Sequence, residues 1–233
     1  MHLYLRAITF KDMMKKKEFI TRTYSALIFG IIFLGIFIFL PPLFFSILLT
    51  CILLYILIFE WNTCGGYKSR YSMLLTPLYL ILPFVLLIVM NESARYHDLL
   101  YYLFALVFAH DVGAYVVGSL IGYHKIIPTI SPNKSWEGLL GGLIFIIITL
   151  KIMLPYFGSY VTTLELMIIS SSVCLAAFCG DLFESWLKRK AGIKDAGSIL
   201  PGHGGLLDRF DSIIFVTFLF FCTRNTLTCW LLG

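Results

Sequence analysis

Between Thr23 and Phe59 the chain carries no charged residue. At about 20 residues per bilayer crossing, this run is long enough for two spans. Pro41-Pro42 divides it, because neither proline sits well inside a helix. The same pattern recurs downstream. Tyr71 to Asn91 is uncharged, with Pro77 and Pro83 placed to kink a third span. A fourth runs from about Leu99 to Ile121, a fifth from Gly138 to Pro155, a sixth from near Thr162 past Gly180, and a seventh from around Ser212. With 59% hydrophobic and only 13% charged residues, the chain has more apolar side chain than a soluble core can bury. The expected fold class is therefore all-α: a polytopic integral membrane protein of about seven transmembrane helices. Charge is too scarce for disorder or a separate soluble domain, and 6 scattered Cys do not make a disulfide scaffold.

The net charge of +5 raises the question of a nucleic-acid partner, but in a membrane chain Lys and Arg record topology first. With the N-terminus placed inside, all of the 18 basic residues except Arg95, Lys151 and Arg224 fall in segments on the cytoplasmic side. The positive-inside rule then puts the C-terminus out, and no nucleic-acid partner is expected. Residues 1–22 are a basic cytoplasmic segment, too charged for a signal-peptide core. Residues 23–98 hold the N-terminal spans, and residues 99–233 hold the part with chemistry, including loops 122–137 and 187–211. Both loops emerge on the cytoplasmic side, so they can build one site there.

On the sixth span Asp181, Glu184, Ser185 and Lys188 share one helical face. An ordinary Glu184–Lys188 ion pair at a solvated helix end accounts for two of them. It does not account for Asp181, which follows a long uncharged stretch at the edge of the hydrocarbon, where a carboxylate needs a partner or a cation. In the next loop, glycines at 202, 204 and 205 let backbone N–H groups approach an anion. Asp208 and Asp211 stand three apart at the start of the seventh helix. One of them can serve as a cap, but both, together with Asp195 and Asp181, exceed what capping needs. Oxygen ligands in this number suit Mg²⁺, which is held by one or two carboxylates plus substrate phosphates. His203 reads equally as a turn-packing residue or a functional group.

The other loop offers Ser131, Asn133, Lys134 and Ser135 before a glycine-rich helix start. This reads either as an anion site or as a capped loop with an interfacial Trp136. Asp111 lies roughly 18 Å of helix rise beyond Leu99 in an apolar span, so it is either functional or held by a structural hydrogen bond. Phosphate-loop, dinucleotide, zincin and CxxC motifs are absent. The cysteines read as small apolar residues in the spans, with Cys64 a reduced thiol in an inner loop.

The stretch Ser185 to Arg189, Lys194-Asp195-Ala196-Gly197, then Pro201-Gly202-His203-Gly204-Gly205 through Asp208-Arg209-Phe210-Asp211 resembles the signature of the phosphatidate cytidylyltransferases (CDP-diacylglycerol synthases). Asp111 to Tyr115 and Ser131 to Gly138 resemble two further stretches of that family, and Glu60-Trp61 is similar to the end of its second span. The resemblance implies a homodimeric enzyme of the bacterial inner membrane. It would convert phosphatidic acid and CTP into CDP-diacylglycerol and pyrophosphate, using Mg²⁺. On that expectation we assign Asp181 and Asp208 as principal metal ligands, with Asp195 and Asp211 supporting them or binding a second cation. Lys134, Lys188, Arg189, Lys194 and Arg209 would neutralise phosphate, and backbone at Gly204 and Gly205 would cradle it. His203, Ser131 and Asp111 complete the candidate set, while Lys151 and Arg224 acquire no role.

Two rivals share these features. A membrane lipid or polyprenol kinase would use the same carboxylates and cations, and an ion-coupled transporter would use Asp111 and the glycine-broken loops. Charge concentrated on one face argues against the transporter.

Overall fold

The computed structural model describes residues 28, 30–64, 72–194, 196–197 and 205–233. The basic segment 1–22 and the loop residues Asp195, His203 and Gly204 lie outside the described residues. Every regular element among the described residues is helical, apart from one isolated bridge between Lys125 and Ser135. Five helices are long and apolar enough to cross a membrane: α2 (Pro42–Glu60), α4 (His97–Ile121), α5 (Trp136–Tyr156), α6 (Thr163–Lys190) and α7 (Leu207–Leu231). Two shorter apolar helices, α1 (Gly30–Phe39) and α3 (Thr76–Glu92), complete the bundle. Large apolar side chains face outward along several helices, Ile31, Phe44, Ile58, Leu120 and Ile152 among them, as an integral membrane protein requires.

Sequence punctuation explains most boundaries. Pro41 stands before α2 and Pro42 opens it, where a missing N–H costs nothing. The kink expected at Pro77 takes the form of a wide turn over Thr76–Ile81, and a regular helix resumes at Leu82 with Pro83 in its first turn. Thr162 and Glu165 form a reciprocal capping box that starts α6. Lys188, Arg189 and Lys190 occupy its last turn, where cations complement the helix dipole.

The helix that carries the last apolar run starts about one turn before Ser212, at Leu207, so that Asp208 and Asp211 stand in its first turns as expected. Its first amides are satisfied by carboxylates, as described below.

Packing brings four helix ends together. α4 and α5 touch backbone to backbone: a Cβ on Gly113 would lie 2.6 Å from the Gly141 carbonyl oxygen. α6 and α7 do the same where Gly180 meets the Asp211 backbone, and Ser212 Oγ donates to the Ala177 carbonyl at 3.2 Å. The end of α4, the start of α5, the end of α6 and the start of α7 therefore converge. α1 to α3 flank them through an aromatic cluster in which Phe33 packs on Phe45, Phe104 and Phe210.

Candidate active site

A cavity of about 360 Å³ opens where these ends meet. α4 contributes His110, Asp111 and Tyr115; the 122–135 loop contributes Ser131, Asn133 and Lys134; α6 contributes Phe178 and Asp181; α7 contributes Asp208, Arg209 and Asp211. Two segments far apart in sequence thus share one wall. Lys134 forms an ion pair with Asp181, and its ammonium also stands 5.0 Å from the centre of the Phe178 ring. The loop that presents Lys134 is braced against itself. Ile126 N donates to the Lys134 carbonyl at 3.1 Å, Trp136 N donates to the His124 carbonyl at 3.0 Å, and His124 Nδ1 meets Glu137 Oε1 at 2.5 Å. Ser135 caps α5 by accepting the Gly138 amide at 3.1 Å.

Behind the cavity lies a charged triad. Lys188 Nζ donates to Glu184 Oε2 and to Asp208 Oδ1, both at 2.8 Å. Glu184 is buried, so its pairing with Lys188 is not the solvated helix-end contact that its spacing suggests. The second oxygen of Asp208 accepts the Gly205 amide at 2.7 Å and the Ala196 amide at 3.2 Å. One carboxylate therefore ties α6, the 187–211 loop and α7 together. Asp211 Oδ1 accepts the neighbouring Ser212 amide at 2.7 Å, and Ser185 Oγ donates to Asp181 Oδ1 at 3.4 Å.

The sequence-derived candidates divide by position. Asp111, Ser131, Lys134, Asp181, Asp208, Arg209 and Asp211 line the cavity. Lys188 stands behind it. Arg189 donates from Nε to the Ile130 carbonyl and from a guanidinium nitrogen to the Ile193 carbonyl, both at 3.3 Å, so it braces the two loops. Lys194 is exposed, and the Gly205 amide is occupied by Asp208.

Sequence reasoning passed over three residues. His110 lines the cavity with Nδ1 3.2 Å from Asp111 Oδ1. Glu184 showed only as one member of an ordinary pair. Glu60 showed only as the charge that closes an uncharged span, yet it is buried against the start of α7. Nearby Cys64 is also buried; burial, and secondarily the Glu184 carboxylate, pushes its thiol pKa up to about 12. It stays protonated and unreactive at neutral pH.

The donor set fits a hard divalent cation. Among the described residues no three acidic, His or Cys side chains converge as a preformed cage. An ion there would be held by one or two carboxylates and completed by phosphate oxygens. Asp181 on α6 and Asp208 and Asp211 on α7 are cavity carboxylates of these facing helices, and each already holds a protein partner that a bound ion would share or displace.

The model of the cytidylyltransferase family matches residues 12–227. The chain belongs to that family. Among its relatives are proteins named phosphatidate cytidylyltransferase. That of Staphylococcus saprophyticus is 47% identical over 126 residues, covering 53% of this chain and 48% of the relative. That of Staphylococcus haemolyticus is 45% identical over 126 residues, covering 54% and 48%. That of Staphylococcus aureus is 44% identical over 126 residues, again covering 54% and 48%. The chain spans about half the length of the curated relatives it matches.

Proposed function

We propose that this chain transfers the cytidylyl group of CTP to phosphatidic acid, giving CDP-diacylglycerol and pyrophosphate. The observation that carries the reading is the shared cavity: Lys134 and Arg209 line it together with Asp111, Asp181, Asp208 and Asp211, in a chain whose relatives bear that activity in their names. A phosphate oxygen of the lipid attacks the α-phosphorus of CTP. The bond from that phosphorus to the bridging oxygen breaks, and pyrophosphate leaves. Several negative charges must converge in line, so the work of the protein is positioning and charge neutralisation.

Lys134 and Arg209 supply positive charge at the cavity wall. Asp181 holds Lys134 in place before substrate arrives. Asp208 keeps Lys188 directed toward the turn that starts α7. Asp181 and Asp208, supported by Asp211, would hold Mg²⁺, which when bound neutralises phosphate charge and makes pyrophosphate a better leaving group. The full arrangement we infer has seven spans with the N-terminus and the site on the cytoplasmic side of a bacterial inner membrane, and a homodimer as the working unit. The distribution of Lys and Arg supports the orientation.

Purified protein incubated with phosphatidic acid and radiolabelled CTP or ATP, in Mg²⁺ or EDTA, tests the reading. The expected products are a CDP-lipid and pyrophosphate, from CTP, with none formed in EDTA. A nucleoside diphosphate and a newly phosphorylated lipid would replace this reading with a kinase.

A further inference from the structure

We propose that Glu60 is a positioning residue of this site: its buried carboxylate holds the first amides of α7 and so sets where Asp208, Arg209 and Asp211 stand. The inference rests on the function proposed above only for its kinetic readout.

Helices begin with N–H groups that no earlier turn can satisfy. At the start of α7 they are met from two directions. Asp208, within the helix, takes the Gly205 amide at 2.7 Å. Glu60, from the end of α2, takes the Leu206 amide at 2.8 Å and the Leu207 amide at 2.7 Å, one on each carboxylate oxygen. Leu206 has no side-chain cap of its own, so this cap comes from a residue 146 positions earlier in the chain. Glu60 is 1% exposed. A carboxylate so placed is costly unless its oxygens are used.

The loop is shaped around this carboxylate. A Cβ on Gly205 would lie 2.7 Å from both Glu60 oxygens, and a Cβ on Gly197 would lie 2.7 Å from Oε1. A side chain at either position would push the Glu60 carboxylate off the amides it holds. One turn further, Thr63 Oγ1 donates to the Ala196 carbonyl at 2.7 Å, while the Ala196 amide goes to Asp208. The end of α2 therefore grips both arms of the 187–211 loop. Rotation or fraying of the first turn of α7 would displace three cavity residues at once, and small displacements of positioned groups are costly in turnover.

The test uses the full chain in lipid nanodiscs, as wild type, E60A, E60Q, G205A and E60A/G205A. Gln matches Glu in shape but turns a donor toward one of the two amides, so E60Q reports on the cap even where E60A is poorly recovered. Amide hydrogen exchange over 205–208 is expected to quicken at least about tenfold in E60A and E60Q. With CTP as substrate, kcat is expected to fall about 10- to 100-fold with KM held within about threefold. G205A is expected to be impaired in the wild-type background, and E60A/G205A to be no worse than E60A, because the clash leaves with the carboxylate. Unchanged exchange in E60Q, a loss confined to KM, or full additivity of the double variant would each overturn the proposal. If wild type forms no CDP-lipid, the substrate reading falls, and exchange and Gly205 suppression, followed by thermal unfolding, still decide the role of Glu60.

Discussion

The two ends of the helix bundle treat polar groups in opposite ways. Where α4 ends and α7 begins, charges are answered mostly across the bundle: Lys134 by Asp181, Lys188 by Asp208 as well as by Glu184 one turn earlier on its own helix, and the α7 amides by Glu60. At the far end the partners are mostly neutral or local. Thr162 and Glu165 cap their own helix, Tyr96 OH donates to Asn225 Oδ1 at 2.8 Å, and Ser159 Oγ donates to the Leu231 carbonyl at 2.6 Å. Even Arg224 is settled by its own turn, donating to the Phe221 carbonyl at 2.6 Å and lying 5.6 Å from the Tyr96 ring centre. Neutral local bonds suffice to end a helix. Interlocked charges in a low-dielectric setting are expensive, and they persist where they hold something in place for chemistry.

The difference can be broken deliberately, most severely at Asp208. Asp208→Asn should abolish turnover, by about 1000-fold or more in the CTP assay, since it removes a charge that orients Lys188 and two loop amides. The protein should remain folded in the membrane, and wild-type activity in this variant would remove Asp208 from the site. Lys134→Ala comes next, with kcat/KM expected to drop about 100-fold, and Lys134→Arg should recover part of it. Glu184→Ala tests the triad behind the cavity. Loss of a buried partner of Lys188 should lower stability by about 3 kcal/mol, read as a fall in Tm in detergent, with turnover reduced about tenfold. Thr162→Ala at the far end gives the smallest effect, about 1 kcal/mol in stability with kcat/KM unchanged. A large activity loss there would erase the contrast between the ends.

Much of the fold was legible in the residues. Apolar runs marked the five helices long enough to cross a membrane and the two shorter apolar ones, Pro41-Pro42 marked the break before α2, and Thr162 marked the start of α6. The apolar run of α7 begins near Ser212, while the helix begins about one turn earlier, beside the aspartates, where amides find acceptors. Seven candidate site residues line one cavity because the helix ends and the 122–135 loop that hold them lie at the same end of the bundle. Glu60 was not legible as part of the site: its partners lie in a loop far downstream, and no periodicity connects them.

Local chemistry in the chain was enough to determine which segments are apolar and where charge gathers, since these follow from transfer costs of individual side chains. Only the folded arrangement decided which carboxylate faces the cavity, which one grips Lys188, and which one caps a helix from across the bundle. Those roles depend on contacts of about 3 Å between residues remote in the chain, and hydrogen bonding at that range is set by helix packing.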